Sequence, residues 1–360
     1  SLKIIIPGIF IVVGLCYLHP SNFHISHVNS QDVNSIFQAI ATGGILFSLI
    51  GFRTVFEMSG EIKNPKKTLF RGMLSGFFTY VAIYILLQIA FVGILNPKDF
   101  AGGWQHLNLM GGDSDSPLIS IVASMGLIWM VGLLYIDAVL SPGSTGLITY
   151  TSTARVLYSM SATGFLPKRI VALNKRGVPW IAIIINFVVG MLFFFPFSGW
   201  ETITSFFAAL NALNYGLGII AMPVLCYLID KKTHLYQHVI GLAAIFCAMA
   251  FIYFTGWSDV WLLVTGSFAA LVLYISYCFI TKRHEKNSLH NVLWLCVMLI
   301  CSLVISYFGQ FGGGTKALSL GASFGCLALS AFIVYWLGLR ARRPSEQGRQ
   351  LIANAMAEEG

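Results

Sequence analysis

The chain has 360 residues, of which only 10% are charged (22 Lys or Arg against 14 Asp or Glu), while 57% are hydrophobic and the mean hydropathy is +0.78. A soluble domain carries about 25% charged residues, so a water-soluble globule is excluded. Disorder is excluded as well, because disordered chains are poor in aromatics and this one has 28 Phe, 14 Tyr and 8 Trp.

Crossing ~30 Å of hydrocarbon takes about 20 apolar residues. In chain order, windows without a formal charge cover residues 33–52, 72–97, 116–136, 178–200, 202–229, 239–258, 260–281, 291–315 and 317–339. A shorter run, 4–18, is extended by Lys3 if that side chain snorkels or faces protein. Residues 138–154 continue the 116–136 window past Asp137, which predicts a short outer helix followed by one long span. The expectation is an all-α integral membrane protein with about ten transmembrane helices. The seven Cys lie in or beside these apolar runs with no CxxC spacing, which favours inert packing over zinc or a disulfide frame.

The net charge of +8 is a topology signal. If the first helix runs outward, the inward segments 61–71, 168–176, 230–238, 282–290 and 340–360 carry seventeen Lys or Arg, and the outward ones carry only Lys98 and Lys316. Lys and Arg concentrate in cytoplasmic loops, so this reads as a multi-pass inner (plasma) membrane protein with a cytoplasmic C-terminus. A nucleic-acid partner is not implied. The chain opens on Ser1 without Met or a basic leader, which reads as part of a longer polypeptide with no signal peptide here.

Inside a bilayer the informative residues are polar groups and helix breakers. Gly43, Gly44 and Gly51 bracket Phe47-Ser48-Leu49-Ile50. This pattern fits either close helix packing or a helix unwound at mid-membrane that offers bare backbone to a ligand. Arg53 and Glu57 stand four apart and can form an ion pair, structural or functional. Lys3 reads either as a snorkelling lysine or as a buried amine with a lowered pKa. Asp137 precedes Ser141-Pro142-Gly143-Ser144-Thr145-Gly146 and Thr149-Tyr150-Thr151-Ser152-Thr153. A Pro-Gly pair among hydroxyls suits coordination of a cation or polar solute, or else repair of a kink. Asn211, Asn214 and Tyr215 share nearly one helix face, for interhelical hydrogen bonds or substrate lining. His27 and Asp32 match an H-x4-D pattern in a short loop, best explained by chance. No Walker A, HExxH or GxSxG motif occurs, so neither an enzyme nor a cofactor or metal site is expected.

The segment from Ile50-Gly51-Phe52 to Gly60-Glu61-Ile62-Lys63-Asn64-Pro65-Lys66-Lys67 resembles the sixth helix and following loop of the amino acid–polyamine–organocation (APC) superfamily. A second block agrees: Ala154-Arg155-Val156-Leu157-Tyr158-Ser159-Met160, then Gly164-Phe165-Leu166-Pro167-Lys168 and Asn174-Lys175-Arg176-Gly177-Val178-Pro179, is similar to the end of the eighth helix and its loop. The first span resembles the fifth helix. The resemblance covers residues 1–230 as a transporter core of helices five to ten. Residues 231–339 then supply four C-terminal helices and 340–360 a basic cytoplasmic tail, and helices one to four of a fourteen-helix parent lie outside the chain.

The resemblance implies a partial five-plus-five inverted repeat of the leucine-transporter type, with substrate cradled by broken helices. Phe47, Ser48, Leu49, Ile50 and Gly51 would form the unwound segment, with Phe47 as the aromatic gate and the backbone of the next four facing the substrate's amino group. Ser144, Thr145 and Thr149 would line the opposite wall, and Lys3 would take the place where proton-coupled members carry a lysine instead of sodium. Arg53 and Glu57 resemble an aspartate–proton symporter-like subset, which suggests an acidic amino acid. The implied function is a secondary active amino acid transporter, proton-coupled in preference to sodium-coupled, working by alternating access. The alternative is a non-transporting sensor or partner subunit on the same scaffold.

Overall fold

The computed structural model describes residues 2–23, 35–37, 39–40, 44–57, 62, 64–96, 116–192, 195, 199–230, 234–280, 288–311 and 314–341. Gly43, His27, Asp32, residues 58–61, Lys63 and the tail from 342 lie outside them, as does the side chain of Arg53. The elements are α1 (Leu2–Cys16), α2 (Ile45–Ser48), α3 (Arg53–Glu57), α4 (Pro65–Ile94), α5 (Pro117–Ser124), α6 (Ile128–Ala162), α7 (Trp180–Leu192), α8 (Trp200–Asp230), α9 (Leu235–Phe254), α10 (Trp257–Ile280), α11 (Ser288–Phe308) and α12 (Leu320–Arg340). Short 3-10 turns occupy Ile50–Phe52 and Lys168–Val171.

The protein is an all-α membrane protein. Six of these helices (α4, α6, α8, α9, α10 and α12) are long and apolar enough to cross a membrane, and α1, α7 and α11 are shorter apolar helices. Pro65 and Pro117 stand at the first turns of α4 and α5, where the missing N–H leaves no helical bond unmade. The short helix expected before a long span is α5. It separates from α6 at Gly126, whose φ of +74° suits glycine, so Asp137 falls inside α6.

The chain divides into two compact units, residues 1–28 with 51–192 and residues 29–50 with 193–360. In the first, α1 lies along α4 and also meets α6, on which α5 packs. Phe10, Ala90, Ile94, Leu95, Val122 and Met130 form its core. Gly14 faces Ala90 so closely that a Cβ there would stand 2.7 Å from the Ala90 Cβ, the close approach that small residues allow between membrane helices. Beyond α1, Asn22 is buried and its Nδ2 donates to the carbonyls of Val92 (2.9 Å) and Leu95 (2.7 Å), while the His19 N–H donates to Gly93 O at 2.8 Å. These donors satisfy carbonyls that the end of α4 leaves without helical partners.

In the second unit α8, α9, α11 and α12 pack around Ala209, Ala212, Ile245, Met249, Tyr253, Leu327 and Val334, with α10 alongside. Glycines again set the close contacts, Gly241 against the Tyr335 ring and Gly338 against Ile220. Phe37 stacks on Phe254 with ring centroids 4.4 Å apart, which fixes the segment before α2 to the end of α9.

Candidate substrate-binding site

The glycine-bracketed segment is interrupted, starting two residues after the unwound segment that the resemblance implies. Gly44, at φ +89°, opens it, and its carbonyl accepts the Ser48 N–H at 2.9 Å. The Ser48 hydroxyl donates to Ile45 O at 2.7 Å. Phe47 and Ser48 are therefore helical, and the α-helix is lost only from Leu49, with a 3-10 turn over Ile50–Phe52 before α3 resumes it. The Ile50 carbonyl accepts from the Tyr215 hydroxyl of α8 at 3.0 Å. Phe47 sits edge-on to Phe207, centroids 5.7 Å apart. Ile50 closes the part of this segment that belongs to the second unit, and Gly51 opens the part that belongs to the first.

In the first unit the fold joins two residues that sequence reading treated separately. Lys3 Nζ of α1 donates to Thr145 Oγ1 of α6 at 2.5 Å. The same Thr145 hydroxyl donates to Ser141 O at 3.0 Å, and Ser144 Oγ donates to that carbonyl at 3.0 Å. Two side chains thus donate to the Ser141 carbonyl, and α6 runs through Pro142 unbroken. Lys3 is exposed in its unit, and Thr145 positions its ammonium. Thr149 is exposed, and its carbonyl accepts from Thr153 Oγ1 at 2.9 Å.

Glu57 accepts a hydrogen bond from Ser152, a residue of α6 that is 1% exposed. It lines a cleft of about 950 Å³ together with Gly146, Tyr150, Arg155, Tyr158 and Pro179. A carboxylate, a guanidinium and phenols in one cleft supply donors and acceptors for a small zwitterion. Asn211 turns back onto its own helix, donating to Phe207 O at 2.8 Å, and Asn214 is exposed. No group of three His, Cys, Asp or Glu side chains able to hold a metal occurs among the described residues.

Two pairings escaped sequence reasoning. Ser152 is one hydroxyl in a run of five polar residues, and nothing in the run marks it as the one facing Glu57. Asp259 separates two apolar windows and so reads as a loop residue. It is in fact buried in the first turn of α10, accepting from Ser205 of α8, and the signal available was a lone carboxylate with no other charge near it.

The profile of the amino acid permease family matches residues 1–278, well past the 1–230 that the motifs covered. The chain is 31% identical to the glutamate/serine transporter AimA of Bacillus subtilis, over 96% of its own length, and 26% identical to the aspartate-proton symporter of the same organism, over 93%. In each case it spans 65% of the relative's length. It is also 29% identical over 52% of its length to the branched-chain amino acid permease BcaP of Lactococcus lactis, covering 40% of that protein. No solved structure matches the chain. The family match covers most of the sequence, and the chain belongs to the amino acid permease family.

Proposed function

We propose that the protein is a secondary active transporter of amino acids, proton-coupled and working by alternating access in the bacterial inner membrane, with its C-terminus in the cytoplasm. The observation that carries this reading is the loss of α-helix from Leu49 to Phe52, with the Tyr215 hydroxyl donating to the Ile50 carbonyl. A membrane helix gives up backbone bonds only where protein or a water-filled cavity receives them, and such interruptions are where transporters bind solutes. The substrate's ammonium replaces the Tyr215 hydroxyl at Ile50 O. The backbone from Ser48 to Gly51 supplies the other contacts, and Phe47 closes over the substrate. The relatives named for glutamate, serine and aspartate support a small acidic or hydroxylated amino acid.

Coupling follows from the Lys3–Thr145 bond. The charged ammonium makes a charge-assisted bond to Thr145, stronger than a neutral amine makes. This bond joins α1 to α6, and Lys3 is the residue assigned to proton coupling. The test is uptake by the full-length protein in proteoliposomes. Accumulation of labelled glutamate, aspartate or serine driven by an imposed pH gradient is expected. Binding without flux would replace the transporter with a sensor, and flux that needs sodium would replace the coupling ion.

A further inference from the structure

Between Asp137 and Glu201 the chain carries five cations and no carboxylate. Four of them, Lys168, Arg169, Lys175 and Arg176, lie on the connection between α6 and α7, and all four are exposed. This connection is an ordered structure. α6 ends at Gly164, φ +88°, with the Gly164 N–H on Ser161 O and the Phe165 N–H on Met160 O at 2.8 Å, the pairing that closes a helix at a left-handed glycine. Ser161 Oγ, buried, donates to Pro167 O at 2.6 Å. Ile170 of the 3-10 turn is buried against Ala154 and Ala182, which leaves its neighbours Lys168 and Arg169 pointing away from the core.

The second pair of cations sits on a fixed tip. Asn174 Oδ1 accepts the N–H groups of Arg176 (2.9 Å) and Val178 (3.0 Å), and Gly177, at φ +74°, completes the turn with its N–H on Asn174 O. Apolar side chains surround these cations. Phe165 is 48% exposed, Leu173 49%, and Trp180, at the start of α7, 47%. Tryptophan at the end of a membrane helix sits at headgroup depth. Four cations held at that depth by a rigid backbone, with aromatic groups beside them and no carboxylate among them, match the requirements for anionic headgroups.

We infer that the α6–α7 connection is a binding site for anionic phospholipid headgroups, with Lys168, Arg169, Lys175 and Arg176 on the phosphates and Trp180 in the interface. Leu173, Gly177, Val178 and Pro179 of this connection also line the cleft that contains Glu57 and Arg155. A bound headgroup therefore steadies one wall of that cleft.

The test uses the full-length protein reconstituted in phosphatidylcholine bilayers containing about one-third phosphatidylglycerol. The fluorescence of Trp180, taken as the difference between wild type and Trp180→Phe, is quenched by brominated phosphatidylglycerol or by brominated phosphatidylcholine. Phosphatidylglycerol is expected to quench about threefold more strongly than its neutral counterpart, as juxtamembrane cations favour anionic lipid. That excess should vanish in wild type at about 1 M salt, where the screening length is ~3 Å. It should also vanish in the variant carrying Lys168→Gln, Arg169→Gln, Lys175→Gln and Arg176→Gln. The tip-only variant Lys175→Gln/Arg176→Gln, which keeps two basic residues to direct insertion, is expected to lose about half of it. Equal quenching by the two lipids in wild type, or an excess that survives in both variants, would overturn the inference. Inorganic phosphate abolishing the excess, against chloride at equal ionic strength, would overturn it in favour of a soluble phosphate ligand.

Discussion

Lys3 and Thr145, 142 residues apart in sequence, meet through one hydrogen bond of 2.5 Å that joins α1 to α6. The threonine spends its own proton on Ser141 O, so toward Lys3 it acts only as acceptor, and the lysine must donate. Lys3→Ala removes the donor and is expected to leave uptake with no dependence on external pH. Thr145→Val keeps the volume but removes the acceptor, and is expected to flatten the pH profile while the protein still folds. A pH profile unchanged in Lys3→Ala would remove Lys3 from coupling.

Tyr215 and Ile50 lead to a prediction about affinity. Tyr215→Phe leaves the ring and deletes only the hydroxyl that occupies the Ile50 carbonyl. Losing one of the donors to this carbonyl costs about 0.5–1.5 kcal/mol, and the empty state bears that cost while a bound ammonium relieves it. Substrate is expected to bind more tightly to Tyr215→Phe, by up to about tenfold, read as a lower Kd by equilibrium binding, with thermal stability of the empty protein reduced. Weakened binding would mean that the hydroxyl assists the substrate and does not compete with it.

Glu57 and Ser152 yield a stability comparison within one helix. Ser152→Ala removes a buried donor to a carboxylate, a bond to a charged group worth about 1.5–3 kcal/mol. Thr151→Val removes a hydroxyl that only returns to Leu147 O of its own helix on an exposed face, and is expected to change stability by less than about 0.5 kcal/mol. Thermal melting of the two variants in the same detergent checks the difference. Equal midpoints would show that Ser152 contributes no more than its neighbour.

Two glycines of α1 separate packing from propensity. A Cβ at Gly14 would meet the Ala90 Cβ at 2.7 Å and the Ala90 Cα at 3.3 Å, whereas nothing lies within 4 Å of one at Gly8. Gly14→Ala must push α1 off α4, at about 1–3 kcal/mol, the usual range for overpacking. Gly8→Ala gains up to about 1 kcal/mol from helix propensity. Opposite shifts of the melting midpoint are the expected outcome.

The helices are legible in the sequence because long uncharged runs are local signals. Local signals also mark the interruption near Gly51. Its onset at Leu49 rather than Phe47 depends on the Ser48 hydroxyl and the Gly44 carbonyl closing one more turn. The Pro142–Gly143 pair allows a break, but α6 runs through it. Lys3 and Thr145 were each legible as candidates, but their meeting was not. Nor were Ser152 with Glu57, 95 residues away, or Ser205 with Asp259, 54 away. Such pairs are set by which helix faces pack together, and the periodicity of an all-apolar helix says little about that, because every face looks alike.

The capping of α4 by Asn22 bears on how the molecule can move. Asn22 Nδ2 and the His19 N–H hold the carbonyls of Val92, Gly93 and Leu95, and Gly14 locks against Ala90 along the shared face. Sliding one helix past the other would break the cap and the interdigitation together. α1 and α4 are thus joined as one rod-pair, and sliding between neighbouring helices is left to other pairs.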